Sequence, residues 1–225
     1  MNSIKSVTNF QDLVSTPFQD ETNAIFWART LKGNFYEIVE KITSYENIVV
    51  LTEEDLTELQ LSEEGQIARE LILNDMKLLK EHGASPTLNL ITYYERDHAY
   101  PFFPTDVYSF HVDRSPIPTD TFLCTYYGES SEILPNSEAE QKILVPEIRE
   151  ELKKLHRGKE EEFEFFLSSH FFDLHYQAKT RSNPIKIRQG YLCRLAVDHP
   201  GSPVLPCVHR APKEKEGEKR LLMIC

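Results

Sequence analysis

The tripeptide His111-Val112-Asp113 combines two side chains that bind transition metals, an imidazole and a carboxylate. The residues before it include Val107, Tyr108 and Phe110, whose branched and aromatic side chains predict a strand. Side chains at positions i and i+2 of a strand point to the same face, so we expect His111 and Asp113 to project side by side. Such a pair provides two of the three ligands of a 2-His-1-carboxylate site, which leaves open positions on the metal.

A second imidazole and a cation follow much later in the chain. His209 ends a predicted strand over Val204 to His209, and it lies 98 residues after His111. Arg220 comes eleven residues after His209 and begins the last predicted strand, 220–224. A guanidinium there could bind the far carboxylate of a dicarboxylate whose keto-acid end chelates the metal.

Composition restricts the possible partners. The formal net charge of −11 argues against a general binder of nucleic acids or anionic membranes, although it leaves room for a local basic pocket. The four cysteines form no C-x-x-C pair, and neither the N-terminus nor any other stretch is apolar enough for a signal or a membrane span. We therefore expect a cytoplasmic protein with reduced thiols and no membrane partner.

The first 85 residues read as a mostly helical scaffold. We expect a helix capped near Asp20 to Asn23 that carries the apolar residues of 25–31, and a second helix over 35–42. The run 48–51 predicts a strand or a buried turn. Ser62 begins a longer helix, whose apolar residues recur every three to four positions until Gly83.

The remainder, 86–225, reads as short strands separated by turns. Strands are expected at 88–94, 107–113, 122–127, 185–187, 191–197, 204–209 and 220–224, with a charged hairpin loop over 213–219. A helical insertion is expected near 138–157, with Pro146 at a break or restart, and 163–176 is ambiguous between strand and helix. We expect one compact α+β unit with a double-stranded β-helix core, of the jelly-roll or cupin-like type, and the helical part packed on it.

The chain resembles a known superfamily in these residues. The His-x-Asp pair, the distal His and the later Arg are similar in layout to the Fe(II)/2-oxoglutarate-dependent dioxygenases. More closely, the chain resembles a bacterial family of unknown function, numbered 1826. The stretches that carry this resemblance are 23–29 (NAIFWAR), 110–113 (FHVD), 123–128 (LCTYYG), 134–136 (LPN), 208–212 (VHRAP) and 220–222 (RLL).

The resemblance implies a role for each matching residue. His111, Asp113 and His209 would bind Fe(II). Arg220 would anchor the distal carboxylate of 2-oxoglutarate, with Lys219 in its place if the register slips by one. Thr125 or Tyr126 would hydrogen-bond the cosubstrate, although Tyr126 is more typical of a core or rim aromatic.

The implied activity is that of a dioxygenase of hydroxylase or demethylase type, on a small molecule or a protein that the sequence does not identify. Iron would react with O₂ and 2-oxoglutarate to give succinate and CO₂ and to oxidise a substrate C–H bond. The ligand types alone also accept Mn, Co, Ni or Zn.

Three other interpretations remain open at this point. Cys193, His199, Cys207 and His209 could form a structural zinc site, although their spacing matches no common motif. The fold could instead be a non-catalytic module that binds a metal, a small ligand or a partner; such a module needs no cation facing the metal. Arg210, next to His209 and on the other strand face, could serve an ion pair or a substrate contact. A serine hydrolase lacks its G-x-S-x-G motif, and no phosphate-binding glycine motif is present.

Overall fold

A computed structural model describes residues 3–213, 215 and 217–225. Within that part of the chain the helices are α1 (Phe10–Ser15), α2 (Phe35–Lys41), α3 (Glu53–Glu58), α4 (Glu63–Glu81), α5 (Pro146–Leu155) and α6 (Phe163–Ser169). The strands are β1 (Ile4–Val7), β2 (Ala24–Trp27), β3 (Ile48–Leu51), β4 (Thr87–Ile91), β5 (Phe110–His111), β6 (Asp120–Tyr127), β7 (Glu132–Ile133), β8 (Ala139–Gln141), β9 (His175–Ala178), β10 (Ile185–Lys186), β11 (Leu192–Ala196), β12 (His209–Arg210) and β13 (Arg220–Ile224). The expected hairpin loop 213–219 lies partly outside the described residues.

The strands form two sheets. One has seven strands in the order β1-β2-β11-β6-β13-β4-β3, and the other has six in the order β10-β7-β12-β5-β9-β8. Among the described strands, every pair is antiparallel except β1 with β2. The chain is thus an α+β protein with two largely antiparallel sheets.

The helices of the N-terminal part cover one face of the seven-stranded sheet. The largest apolar cluster contains Ile72, Met76 and Leu79 of α4 together with Cys124 and Tyr126 of β6. Helix α4 begins directly after Ser62, as predicted. The Ser62 side chain caps the helix by accepting a hydrogen bond from the Gly65 backbone N–H. Gly83, at φ 95°, lies just after its end.

The predicted helix over residues 25–31 is wrong. Residues Ala24–Trp27 form β2, which lies between β1 and β11 in the seven-stranded sheet. Ile25 is buried toward the helices, whereas Ala24 and Phe26 are buried in the cluster on the opposite face. A strand buried on both faces has a continuous apolar run, and such a run lacks the alternation that separates strands from helices.

The second apolar cluster lies on the face of the seven-stranded sheet that is turned away from the helices. It joins Phe26, Leu123, Cys193 and Leu222 of the seven-stranded sheet with Ile133 of the six-stranded sheet. This contact packs the two sheets against each other. Side chains on the inner faces therefore meet in one interior.

The expected helical insertion near 138–157 contains an α-helix only in its second half, after a single 3₁₀ turn at Lys142–Leu144. Pro146 is the first residue of α5, where its missing N–H costs no hydrogen bond. Ala139–Gln141 is instead strand β8, which pairs with β9. The α5 and α6 helices enclose a third apolar cluster around Phe103, Phe163 and Phe172.

The boundary between a helical segment 1–85 and a β-rich segment 86–225 stays a prediction. Both segments contribute strands to the seven-stranded sheet. Strands β1, β2 and β3 of the first segment occupy three of the seven positions in the large sheet. No described helix has the length and apolar character needed to cross a membrane.

Candidate metal centre

His111 and His209 come together because their strands are neighbours. In the antiparallel pair of β5 and β12, His111 lies directly opposite His209. Directly opposed residues point to the same face of a sheet, and the centroids of the two imidazole rings are 4.6 Å apart. The same strands bury Phe110 and Val208 in a separate cluster on the other face.

Asp113 completes the set two residues after His111, where β5 has ended. Its Oδ2 is 3.7 Å from Nε2 of His209. Its carbonyl accepts a hydrogen bond from the Asp198 N–H at 2.8 Å, which holds the backbone of this turn. The three residues each offer one ligand atom, and these atoms lie within 4.8 Å of one another.

Both imidazoles are oriented by backbone carbonyls two residues earlier in the chain. Nδ1 of His111 lies 2.8 Å from the Ser109 carbonyl, and Nδ1 of His209 lies 3.2 Å from the Cys207 carbonyl. A carbonyl can only accept, so each Nδ1 carries the proton and donates it. In a neutral imidazole with this tautomer the lone pair is on Nε2, the nitrogen available to a metal ion.

His111 and Asp113 already have the protonation states that a metal requires of them. Burial, and then the neighbouring His209, lower the pKa of His111 to about 4. Burial acts to raise the pKa of Asp113, but His209 and the hydrogen bond from Thr121 outweigh it and leave that pKa below its usual value. At neutral pH the site therefore offers a neutral His111 imidazole and a carboxylate.

Thr121 supports the carboxylate from β6, a strand of the facing sheet. Its hydroxyl donates to Oδ2 of Asp113 at 2.6 Å, and it lies at the start of β6 on the inner face. Partners of this kind fix the orientation of ligating side chains and tune their basicity. Two imidazoles and a supported carboxylate fit one face of an octahedral first-row metal ion.

Arg220 is a buried cation without a buried counter-ion in the described part of the chain. It is 7% exposed, and its Nη2 donates to Thr125 Oγ1 at 3.1 Å and to Ser131 Oγ at 2.8 Å. Its Nε has no partner. Burial lowers its pKa to about 10, only partly opposed by Tyr94, so the guanidinium remains charged at neutral pH. A buried, charged and incompletely bonded guanidinium has the charge and the free donor that a carboxylate ligand requires.

Strand β6 relates Arg220 to the metal ligands. Thr121 contacts Asp113, and Thr125, four residues later on the same face, contacts Arg220. Four residues of strand span roughly 13 Å, with Leu123 between the two threonines. The metal ligands and the guanidinium therefore mark the two ends of one inner strand face.

Of the residues other than Arg220 that were predicted to contact the cosubstrate, only Thr125 lies beside Arg220. Tyr126 points to the opposite face of β6, is 2% exposed and donates its hydroxyl to Asp75 at 2.7 Å. Lys219 points outward, with Nζ 3.4 Å from the carbonyl of Ile42. Thr125 and Arg220 therefore meet, whereas Tyr126 and Lys219 do not join them.

Arg210 forms the ion pair that was one of its two predicted roles. Its guanidinium contacts Glu132 Oε2 at 2.6 Å and lies over the Phe110 ring at 4.2 Å. The alternative zinc ligands do not assemble in the described residues, where the triad is the one group of three potential ligands. Cys193 and Cys207 are instead buried in the apolar cluster between the sheets, and the His199 imidazole contacts the Pro200 carbonyl.

Several neighbours of the site were not identified from the sequence. His175 lies opposite His111 on β9, with ring centroids 6.0 Å apart, and burial lowers its pKa to about 3. A position near the site was also not predicted for Thr121, Ser131 or Tyr94. Their roles depend on strand register, and the only available signal was the alternation that places Thr121 and Thr125 on one face.

Comparison with known proteins provides no relative. No family model matches the chain, and neither curated proteins nor solved structures include a significant match.

Proposed function

We propose that this protein is an Fe(II)/2-oxoglutarate-dependent dioxygenase with a double-stranded β-helix core. One observation carries the proposal. His111, Asp113 and His209 converge within 4.8 Å, and a buried Arg220 with an unpartnered Nε lies further along the same sheet interior. A metal-binding module without a cosubstrate would have no use for that cation.

The strand order supports the proposed core. Strands β4, β6, β11 and β13 are contiguous in the large sheet, and β5, β7, β10 and β12 are contiguous in the small sheet. Along the chain these eight strands alternate between the sheets, except at the step from β7 to β10. Two facing four-stranded sheets connected in this way are the plan of a jelly roll. The remaining strands extend the two sheets at their edges.

The dimensions suit a five-carbon dicarboxylate. Its carbon chain spans roughly 5 Å, and a metal–ligand bond at one end and a hydrogen bond at the other add roughly 5 Å more. Thr121 and Thr125 are roughly 13 Å apart along β6, so the Asp113 and Arg220 side chains that contact them have to close a remaining gap of roughly 3 Å. The keto-acid end would thus reach the metal while the far carboxylate meets Arg220.

Each side chain has a defined task in this proposal. His111, Asp113 and His209 would hold Fe(II), which, when bound, supplies the O₂ chemistry that converts 2-oxoglutarate to succinate and CO₂ and hydroxylates a substrate C–H bond. Thr121 orients Asp113 through its hydroxyl. Thr125 and Ser131 orient Arg220 toward the cosubstrate carboxylate.

Cosubstrate turnover tests the proposal. The Fe(II)-loaded protein is incubated with 2-oxoglutarate and O₂, and succinate is quantified. We expect slow succinate formation without a prime substrate, lost in His209→Ala and retained in His98→Ala, which replaces an exposed histidine. Absence of turnover together with absence of anaerobic 2-oxoglutarate binding would favour the non-catalytic module instead.

We also place the protein in the cytoplasm. All four cysteines are free thiols in the structure, and Cys124, Cys193 and Cys207 are buried. Unpaired thiols are usual in a reducing compartment.

A further inference from the structure

The carboxylate of the candidate metal centre lies beyond the end of its strand. Strand β5 ends at His111, and Asp113 itself belongs to no strand. The side chains of a binding site have to be held within roughly 0.5 Å of the productive geometry. The contacts that fix the backbone around Asp113 therefore decide how well the site is formed.

The backbone around Asp113 is held by Asp198. The Asp198 N–H donates to the Asp113 carbonyl at 2.8 Å, and the Asp198 carbonyl accepts from the Ser115 N–H at 2.9 Å. Arg114, between these two residues, is paired with Asp198 in an isolated parallel β-bridge. Because β11 ends at Ala196, both segments of this bridge lie outside the ladders of the sheets. Such short pairings open locally at a low free-energy cost.

The Arg114 side chain closes this bridge with two ion pairs. Its Nε donates to Oδ2 of Asp198 at 2.7 Å, and its Nη2 donates to Oδ2 of Asp173 at 2.8 Å. One guanidinium thus joins three segments that are far apart in sequence. Its planar fork holds the two carboxylates in fixed directions, which a lysine ammonium does not do. These three side chains form the Arg114 clamp.

The contact with Asp173 holds the clamp to the strand beside His111. Leu174 follows Asp173, and its carbonyl accepts from the Val112 N–H at 3.0 Å. Val112 lies between the two metal ligands His111 and Asp113. The ion pair and this hydrogen bond therefore fix the chain on both sides of Asp113.

The contact with Asp198 leads to the other imidazole. Two residues before Asp198, the Ala196 carbonyl accepts from the Cys207 N–H at 2.8 Å. Cys207 is two residues before His209, and its carbonyl lies 3.2 Å from Nδ1 of that histidine. The segment that the clamp binds therefore contacts the backbone near both Asp113 and His209.

The clamp is only partly buried. The exposed fraction of the side chain is 36% for Arg114, 19% for Asp173 and 38% for Asp198. Ion pairs of this exposure add little to the stability of a whole fold, which here depends on the apolar clusters. Loss of the clamp should therefore change the position of Asp113 more than it changes the melting temperature.

We propose that Arg114 is a positioning residue of the metal centre, which holds the Asp113 carboxylate in place by binding Asp198 and Asp173. The proposal rests on the metal site of the proposed function. It requires neither that the metal is iron nor that 2-oxoglutarate is turned over. It can therefore be measured with Co(II) alone, which accepts the same ligands.

The test measures the Co(II) affinity of the full chain by isothermal titration. Arg114→Gln should raise the Kd about fivefold, less than the loss of a direct partner of a ligand causes, and should keep the melting temperature within about 2 °C of the wild type. Arg114→Lys keeps a cation that pairs with one of the two carboxylates, so its Kd should rise only about twofold. Arg149→Gln is the matched control, because Arg149 is 28% exposed and pairs with Glu164 between α5 and α6. Its Kd should equal that of the wild type.

Amide hydrogen exchange in the metal-free chain measures the clamp itself. The N–H groups of Asp198 and Ser115 form the two hydrogen bonds of the bridge. In Arg114→Gln they should exchange at least about threefold faster than in the wild type, whereas amides at the centre of β6 should exchange at the wild-type rate. If Arg114→Gln melts more than about 2 °C lower, Asp198→Asn takes its place under the same criteria, because it removes the same ion pair from the other side.

The outcomes separate this inference from the proposed function. A Co(II) affinity of Arg114→Gln within about 1.5-fold of the wild type, or an equal loss in Arg149→Gln, overturns the inference even if the protein forms succinate. A raised Kd with unchanged exchange at Asp198 and Ser115 also overturns it, because the clamp would not be the cause. Weaker Co(II) binding together with faster local exchange supports it, and absence of succinate from the Fe(II)-loaded protein would then count against the dioxygenase alone.

Discussion

Replacing Thr121 with valine should weaken metal binding without disturbing the fold. Valine has nearly the shape of threonine, and Thr121 is 8% exposed within strand β6. The substitution therefore removes one hydroxyl, which donates the 2.6 Å hydrogen bond to Oδ2 of Asp113. The carboxylate keeps its place in the chain but loses the group that orients it.

The size of the effect follows from the exposure of that carboxylate. A hydrogen bond to a charged group contributes about 1.5–3 kcal/mol when it is buried. The Asp113 side chain is 36% exposed, so water replaces part of the lost interaction, and we expect a loss just below that range, about 1.4 kcal/mol. This corresponds to about a tenfold higher Kd for the metal, which is within the usual range for partners of metal ligands.

Isothermal titration with Co(II) or Ni(II), which accept the same ligands as Fe(II), measures this change. Thr125→Val is the matched control, because Thr125 lies on the same face of β6 but contacts Arg220 instead of Asp113. We expect its metal affinity to equal that of the wild type. The reasoning is refuted if Thr121→Val binds metal within about twofold of the wild type, or if Thr125→Val shows the same loss.

Three further predictions concern the neighbours of the site. Tyr126→Phe should lower the free energy of unfolding by about 1–2 kcal/mol, because it removes a donor from a buried carboxylate. The affinity for 2-oxoglutarate should not change. A loss of that affinity would show that Tyr126 belongs to the cosubstrate site. Arg220→Gln should weaken 2-oxoglutarate binding by at least about tenfold at unchanged metal affinity, measured by anaerobic titration, and equal affinity would exclude the proposed anchor. Metal-free protein should lose stability as the pH falls from about 6.5 toward 4. The folded chain keeps His111 and His175 neutral, with pKa values of about 4 and about 3, whereas the unfolded chain protonates both. Each histidine therefore lowers the free energy of unfolding by up to about 1.4 kcal/mol per pH unit in this range. Urea unfolding at pH 7, 6 and 5 should show this slope and a shallower one in His175→Leu, and a pH-independent midpoint would contradict it.

The metal ligands could be predicted from the sequence because their signal is local or carried by a resemblance. His111 and Asp113 are two residues apart at the end of a β-prone run, and strand alternation predicted that they project side by side, although β5 ends at His111 and Asp113 lies in the turn after it. His209 could be added only because the layout resembled a known superfamily. The direct pairing of His111 with His209 depends on the register between β5 and β12, which no single-chain pattern encodes.

Other features were misread or missed because burial and register are properties of the folded chain. The run Ala24–Trp27 is apolar at every position, and the second face that buries it comes from a sheet far away in sequence. His175 lies directly opposite His111 across β9 and β5, and this pairing depends on the register between two strands that are far apart in sequence. Arg29 and Asp75 form a buried ion pair beneath Tyr126 for which the helical periodicity of α4 gave no sign.

The most direct test of the central claim is a crystal structure of the protein soaked anaerobically with Fe(II) and 2-oxoglutarate. We expect anomalous density for one metal ion bonded to Nε2 of His111, Nε2 of His209 and a carboxylate oxygen of Asp113, with the far carboxylate of 2-oxoglutarate on the Arg220 guanidinium. Density for the metal at another position, or a guanidinium that stays without a carboxylate at saturating 2-oxoglutarate, would contradict the account.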